Sequence, residues 1–385
     1  MADELPILER LVGFDTTSAK SNLDLIRWIA DYLAGHGVAS ALTHDPAGTK
    51  ANLFATIGPS DRGGVILSGH TDVVPIAGQA WSSDPFDLSE RDGRLYGRGA
   101  ADMKGFIALA LALVPRAVAA ELAVPLHLAF TYDEEVGCFG APVLIDALPE
   151  GAARPQLAII GEPTSMQIAN AQKGCHFHRI RVVGLEAHSS ATDRGVSAIA
   201  AAAEIIGRIE RLAAAARTRA RPESGFHPAY TTCNVGRIAG GTAINIIARE
   251  CEFDWDLRPL PGEDAEALKV EIDAFIAADL LPRMRAVFPG AAIETETIVA
   301  VPPLVPDRAS PAEALARRLT GANTTTTVSF ASEAGLFQRA GIPAIVCGPG
   351  SIDVAHQPDE FISRDQLAEG RQFLDRLLAW AQRGS

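Results

Sequence analysis

One stretch, Leu67-Ser-Gly-His-Thr-Asp-Val-Val-Pro75, limits the possible folds more than any other because a His and an Asp follow directly on an apolar run. Val65 to Leu67 predict a buried strand, and open α/β sheets bind ligands beyond the carboxyl ends of their strands. Residues i and i+2 of an extended segment point to the same side. His70 could therefore bind a metal ion while Asp72 accepts a hydrogen bond from its second ring nitrogen. A structural His beside an Asp in a turn is the alternative interpretation.

Strand and helix patterns alternate through the first 160 residues and again from residue 290. Strands separated by helices are typical of a largely parallel sheet covered on both faces. The predicted strands are 52–57, 65–67, 126–131, 157–160 and 344–347, and the predicted helices are 23–33, 105–114, 139–148, 311–319 and 364–382.

The pattern changes near Lys173, where an extended run at 176–183 precedes an Ala-rich helix at 196–212. A strand at 231–238 and a helix at 263–278 flank a further strand, Glu250 to Arg258, in which apolar and charged residues alternate. Such alternation marks an antiparallel sheet with one solvent-facing side.

We therefore predict an α/β fold with two domains, since 385 residues exceed the usual size of one core. The parent domain, residues 1–176 and 290–385, has a central mixed, largely parallel sheet flanked by helices. An α+β domain with an antiparallel sheet, residues 177–289, is inserted into it.

Charge and hydropathy exclude several classes of partner. A net charge of -13 argues against nucleic acid and against an anionic membrane surface. The longest apolar run, Phe106 to Val114, is far shorter than the roughly 20 residues of a spanning helix. Met1 to Glu9 has no basic region before an apolar stretch, so we expect no signal peptide and a cytoplasmic protein. The 5 cysteines form no CxxC pair and are expected to be free thiols.

Further acidic and His residues stand at predicted strand ends or in Gly-rich loops. Asp102 follows Tyr96-Gly-Arg-Gly-Ala-Ala, Asp133 to Glu135 follow a buried strand, Glu162 ends another strand, and His356 comes late in the chain. Asp102 could instead cap a helix, which contributes about 1 kcal/mol, and the three acids could form a solvated turn.

The number of candidate ligands favours a metal centre. His70, Asp102, Glu135, Glu162 and His356 provide only oxygen and nitrogen donors, which suit zinc, cobalt or manganese. Five protein ligands are too many for one catalytic ion. They fit two ions about 3.5–4 Å apart that share one carboxylate.

The order of these motifs resembles the M20 family of co-catalytic metallohydrolases from residue 66 nearly to the end. The matching motifs are Ser-Gly-His-Thr-Asp, Gly-Arg-Gly-Ala-Ala-Asp-Met-Lys-Gly, Asp-Glu-Glu-Val-Gly, Gly-Glu-Pro-Thr and Ala-His-Gln-Pro. The segment Gly348 to Phe361 is similar to that of the acetylornithine deacetylases within this family.

The resemblance implies roles for the residues of the parent domain. Asp102 would bridge two zinc or cobalt ions, with His70 and Glu162 completing one site and Glu135 and His356 the other. Asp72 would support this centre from outside the ligand set. Glu134 would be the general base that takes a proton from the bridging water and passes it to the leaving amine. The peptide bond after Asp102 is cis in such proteins.

The resemblance also makes the inserted domain a dimerisation or lid domain. His188 would reach the active site of the partner subunit in a homodimer and stabilise the oxyanion of the tetrahedral intermediate. Asn245 and Arg258 would contact substrate, Arg258 by a two-donor grip on an α-carboxylate. A surface His, and an Arg paired with Asp256 or Glu252, are the alternatives.

The expected reaction is hydrolysis of the small N-acylated amino acid N2-acetyl-L-ornithine to ornithine and acetate, a step of arginine synthesis. Succinyl-diaminopimelate desuccinylase, another N-acyl-amino-acid deacylase and a dipeptidase are the alternatives within the family. A non-catalytic small-molecule binder with the same fold is the alternative outside the enzyme class. The metal ligands and Glu134 argue against it.

Overall fold

The computed structural model describes residues 4–384. Residues 1–3, where the stretch examined for a signal peptide begins, and residue 385 lie outside the described residues. The helices are α1 (Glu4–Val12), α2 (Leu23–Gly35), α3 (Gly105–Ala119), α4 (Gly140–Asp146), α5 (Ala198–Thr218), α6 (Ala265–Phe275), α7 (Leu281–Val287), α8 (Pro311–Thr320), α9 (Ala334–Arg339) and α10 (Arg364–Arg383). The strands are β1 (Ser40–His44), β2 (Ala51–Ile57), β3 (Val65–His70), β4 (Ser89–Arg91), β5 (Arg94–Tyr96), β6 (Leu126–Thr131), β7 (Leu157–Pro163), β8 (Ala169–Gln172), β9 (Cys175–Val183), β10 (Thr232–Gly240), β11 (Glu250–Arg258), β12 (Ala292–Val301), β13 (Thr326–Val328), β14 (Ala344–Gly348) and β15 (Phe361–Ser363).

The described chain divides into two compact units. Unit 1 comprises residues 4–171, 306–327 and 332–384, and unit 2 comprises residues 172–305 and 328–331. No described helix is both long and apolar enough to cross a membrane.

An eight-stranded mixed sheet forms the centre of unit 1, in the order β1-β2-β6-β3-β7-β14-β8-β13. The four strands β6, β3, β7 and β14 run parallel, whereas β2 and β8 pair antiparallel at their flanks. Every residue of β3, β6 and β7 is buried, which is typical of strands covered on both faces. The predicted α/β class with a mixed, largely parallel sheet is confirmed.

Helix α3 runs further than its sequence predicted. We expected it to end at Val114, before Pro115, but it continues to Ala119 with the proline inside. Proline removes one helical hydrogen bond. The apolar residues of α3, buried from Gly105 to Val114 and packed against α1 and α10, offset that loss.

Unit 2 contains the predicted antiparallel sheet, in the order β10-β11-β9-β12. In β11 the apolar side chains are buried, as the alternation predicted, against α5 and α6. Arg179 on β9 and Arg237 on β10 pair with Asp254 on the opposite, charged face of the sheet.

The boundaries of unit 2 differ from the expected range of 177–289. Strand β12, which follows residue 289, pairs with β9 along its length, so the unit extends to residue 305. Glu and Thr alternate in the first half of β12 and only its second half, Ile298 to Val301, is apolar, and the sequence analysis predicted no strand there. The helix expected at 263–278 is also interrupted and continues as α6, a wider turn at Ile276–Leu280 and α7.

Candidate metal centre

The parallel strands of unit 1 bring the predicted ligands to one edge of the sheet. His70 is the last residue of β3, Glu162 lies near the end of the neighbouring β7, and Glu135 follows β6. Close packing explains the Gly before Glu162, since a Cβ on Gly161 would lie 2.1 Å from the ring of Phe106. Side chains separated by up to 92 residues therefore meet at the place that an open α/β sheet offers to ligands.

Asp102 stands between the two predicted His ligands. Its Oδ1 lies 2.9 Å from Nε2 of His70, and its Oδ2 lies 3.3 Å from Nε2 of His356. Nε2 of His356 also lies 3.0 Å from Oε2 of Glu135. The peptide bond between Asp102 and Met103 is cis, as expected. Each oxygen of one carboxylate thus faces a different imidazole, which is the arrangement that a bridging ligand requires.

Two groups of donors result, and they share Asp102. His70, Asp102 and Glu162 form the first group, and Asp102, Glu135 and His356 form the second. Within each group the candidate ligand atoms lie within 4.8 Å of one another. The donors are oxygen and nitrogen atoms only, a set that fits zinc or cobalt.

The electrostatics of these groups also favour bound cations. Burial, reinforced by the charge of Asp102, raises the pKa of Glu162 well above its usual range and that of Glu135 to about 7. The hydrogen bonds of His356 to Asp102 and Glu135 raise the pKa of its ring to about 10. Among the described residues, the carboxylates of Asp102, Glu135 and Glu162 thus lie close together with the imidazoles of His70 and His356. A divalent ion in each group would offset this repulsion.

Asp72 makes different contacts from those predicted. The Nδ1 atom of His70 pairs at 2.9 Å with the backbone carbonyl oxygen of Asp72, and the Asp72 carboxylate is 3.7 Å away. That carboxylate instead accepts the backbone N–H groups of Glu134 and Glu135, at 3.0 and 3.3 Å, and the hydroxyl of Ser18 at 2.7 Å. In this structure the hydrogen bonds of the side chain therefore go to Ser18 and to the acidic turn after β6, and the ring of His70 bonds the backbone oxygen of Asp72. Asp72 connects β3 to that turn.

Glu134 belongs to neither group of candidate ligands. Burial and the negative charges of Glu135 and Asp102 raise its pKa well above the usual range, although the charge of His70 opposes the shift. The thiol of Cys138 donates a hydrogen bond to Oε1 of Glu134 at 3.5 Å. A carboxyl group that takes up a proton easily beside a metal centre suits a general base.

The three predicted residues of the inserted domain lie in unit 2. His188 is exposed, and its Nδ1 lies 2.8 Å from the hydroxyl of Ser190 and accepts the backbone N–H of Ser190 at 3.2 Å. Asn245 accepts the N–H of Ser189 through its backbone oxygen at 3.0 Å. The structure therefore brings His188 and Asn245 together.

Arg258 pairs with Asp256, its Nε lying 3.1 Å from Oδ2, and its guanidinium lies 5.3 Å from the ring centroid of Phe177. This ion pair is the alternative that the sequence left open. The ion pair with Asp256 uses the Nε atom of the Arg258 guanidinium.

Two functional candidates were missed in the sequence. Ser18, which bonds Asp72, stands in a polar N-terminal stretch without a motif. Glu333 is buried below the strand ends and accepts the hydroxyl of Ser68 at 3.1 Å. Burial raises its pKa above the usual range. Its position directly before α9 makes it indistinguishable from an ordinary acidic residue at the start of a helix.

The site has residues positioned to bind metal ions, and the family comparison shows that the chain is a hydrolase. The family model described as "Peptidase family M20/M25/M40" matches residues 66–380, and the chain belongs to this family. The resemblance seen in the sequence is therefore confirmed.

Among individual proteins, the chain is similar to the acetylornithine deacetylase of Proteus mirabilis (strain HI4320). The two are 37% identical over an alignment of 369 residues that covers 94% of this chain and 91% of that protein.

Solved structures of low sequence identity share the fold. A tripeptidase from Staphylococcus aureus superposes with a TM-score of 0.76 at 20% identity, over 100% of both chains. A Bacillus subtilis protein described as a dinuclear metal-binding peptidase of the M20 family gives a TM-score of 0.66 at 18% identity, over 99% of this chain and 98% of that one.

Proposed function

We propose that this protein hydrolyses N2-acetyl-L-ornithine to L-ornithine and acetate with two divalent ions, Zn²⁺ or Co²⁺, bound per chain. The observation that carries the proposal is the 37% identity to an acetylornithine deacetylase along 94% of the chain. The two donor groups around Asp102 support the metal requirement. His70 and Glu162 would hold one ion, Glu135 and His356 the other, and Asp102 both.

Bound divalent ions would polarise the amide carbonyl and lower the pKa of the attacking water. Glu134 would accept a proton from that water as its oxygen bonds to the carbonyl carbon. When the C–N bond breaks, Glu134 would return the proton to the departing amine nitrogen, so that acetate and free ornithine result. The carboxylate of Asp72, which accepts the backbone N–H of Glu134, would hold Glu134 in place.

Substrate choice is tested by comparing kcat/KM for N2-acetyl-L-ornithine, N-succinyl-diaminopimelate and a set of dipeptides. An acetyl group needs room for one methyl on the acyl side, so we expect the succinylated substrate to be poor. A preference for the succinyl compound, or for dipeptides, would replace the proposal with the corresponding alternative in the family. No turnover of any substrate by protein loaded with Zn²⁺ or Co²⁺ would favour a non-catalytic binder.

We further propose a homodimer formed through unit 2, in which His188 acts at the metal centre of the partner subunit. With Nδ1 accepting the backbone N–H of Ser190, Nε2 of His188 would be the donor that an oxyanion requires. Exposed isoleucines on and near the edge strand β10 support an interface there: Ile199, Ile238, Ile244 and Ile246.

Mixing inactive His188→Ala and Glu134→Gln chains tests the trans role. A hybrid dimer contains one centre with both residues intact and one with neither, so each hybrid should regain up to about half of the activity of a parental dimer. Hybrids that form and stay inactive would contradict the proposal.

A further inference from the structure

Glu360 is buried in unit 1 and the metal centre proposed above does not use it. Its carboxylate is surrounded by donors from one loop, residues 98–102. Oε1 accepts the backbone N–H groups of Ala101 at 2.9 Å and Asp102 at 3.0 Å. Oε2 accepts the N–H of Gly99 at 3.1 Å and Nη1 of Arg98 at 2.7 Å. Four donors of the loop that carries Asp102 therefore converge on a single carboxylate.

The path of this loop turns several backbone N–H groups inward, where they need an acceptor. Gly99 has a φ of +80°, a left-handed conformation that glycine adopts at little cost. The N–H groups of Gly99, Ala101 and Asp102 turn inward, toward the same carboxylate. Buried N–H groups without an acceptor are costly. The carboxylate of Glu360 provides the acceptors for these N–H groups.

The same ion pair reaches the second His ligand. Arg98 is buried, and its Nη2 donates to Oε1 of Gln79, whose Nε2 donates to the backbone oxygen of His356 at 2.8 Å. Nη1 of Arg98 also donates to the backbone oxygen of Gln357 at 3.3 Å. His356 has a φ of +63°, which is unusual for a residue with a side chain, so its backbone needs support from outside the loop.

The pairing of β5 with β15 fixes the distance between the two loops. Tyr96 lies opposite Phe361, and the backbone N–H of Gly97 donates to the backbone oxygen of Glu360 at 3.0 Å. Both loops leave the same end of this strand pair, one toward Asp102 and the other from His356.

We propose that Glu360 is a positioning residue for the metal centre: it holds Asp102 through the loop N–H groups, and through Arg98 and Gln79 it holds His356. The inference rests on the proposed metal ligands. It predicts two different effects. Perturbing Glu360 should weaken both ion sites because Asp102 belongs to both groups, whereas perturbing Gln79 should weaken only the site that contains His356.

The test is titration of metal-free protein with Co²⁺, followed by visible absorption and calorimetry, which resolve the two binding steps. In Glu360→Gln the amide offers only one acceptor oxygen to donors that need two. We expect both affinities to fall by about 10- to 100-fold, the usual effect of losing a partner that orients a metal ligand. Gln79→Ala should lower one affinity by a similar factor and leave the other unchanged.

Glu90→Gln is the matched control. Glu90 lies on β4, which pairs with β5, and its carboxylate forms an ion pair at 2.6 Å with Arg364, the first residue of α10. Its Co²⁺ titration should match that of the parent protein.

Thermal unfolding of each metal-free variant separates positioning from stability. A lower Tm of Glu360→Gln with unchanged Co²⁺ affinities would overturn the inference, as would a Gln79→Ala variant that weakens both sites equally. If Glu360→Gln does not fold, the inference is decided by whether Gln79→Ala weakens one ion site and leaves the other unchanged. If the parent protein binds no Co²⁺, both the proposed metal centre and this inference are wrong. If the parent binds two ions and the variants bind them with the same affinities, only this inference is wrong.

Discussion

The carboxylate of Asp72 accepts the backbone N–H of Glu134 at 3.0 Å. This contact joins the end of β3 to the acidic turn after β6. The residue that sequence reasoning assigned to the orientation of His70 is thus placed to orient the proposed general base.

Asp72→Asn separates these two roles. The backbone carbonyl that bonds His70 remains in the variant, so we expect both ions to bind as in the parent. The Asn side chain turns an NH₂ group toward Ser18 or the N–H groups of the turn, and kcat should fall by about 10- to 100-fold as Glu134 shifts. Loss of one ion with little change in kcat per loaded centre would instead support orientation of His70. Elemental analysis and steady-state kinetics on the same preparation decide between them.

Glu134→Gln should retain two ions and lose most of its turnover. An amide cannot accept the proton from water, so kcat should drop by about 10²- to 10⁴-fold. The adjacent Glu135→Gln is the comparison, because it removes a proposed ligand and should lower metal content first. A Glu134→Gln enzyme that turns over at the parental rate would rule out the assignment.

Arg258 is expected to bind the α-carboxylate of the substrate with the edge of its guanidinium that Asp256 does not use. Arg258→Ala should lower kcat/KM for N2-acetyl-L-ornithine by about 10- to 150-fold, the equivalent of a charged hydrogen bond of about 1.5–3 kcal/mol. Arg258→Lys should recover little, since an ammonium lacks the planar pair of donors. Arg237→Ala, which removes another ion-paired Arg of the same sheet, is the control. Equal kinetics for both Ala variants would show that Arg258 only pairs with Asp256.

His127 should make stability depend on pH. It is buried on β6, with Nδ1 3.0 Å from the hydroxyl of Thr56, and burial lowers its pKa to about 4. The unfolded chain takes up a proton near pH 6.5, so stability is complete above that pH and is lost as the pH falls toward 4.

Between pH 7 and pH 5 this group should remove about 2 kcal/mol from the free energy of unfolding. Urea unfolding of metal-free protein at both pH values measures it. His127→Gln should lose that part of the pH dependence, whereas His44→Gln, at an exposed position on β1, should keep it. An equal pH dependence in all three proteins would contradict the prediction.

Features set by residues close together in the sequence could be predicted, whereas features set by contacts between distant segments could not. Strands such as Leu126–Thr131 and Glu250–Arg258 carry their own apolar pattern, and both were predicted with the bounds that the structure has. Ligands at strand ends were recognisable because parallel strands share one edge. Strand β12 was missed because its place is decided by β9, more than 100 residues earlier. The contacts of Asp72 depend likewise on donors from a different strand end.

The pairing of β9 with β12 brings the beginning and the end of unit 2 side by side. Cys175 lies opposite Val301, and the N–H of Gln172 donates to the oxygen of Leu304 at 3.2 Å. A segment whose two ends adjoin can be lengthened, exchanged or replaced by a short turn without altering the register of the host sheet. Within one family, the hydrolytic centre can therefore persist while evolution remodels the inserted module for other substrates and other assemblies.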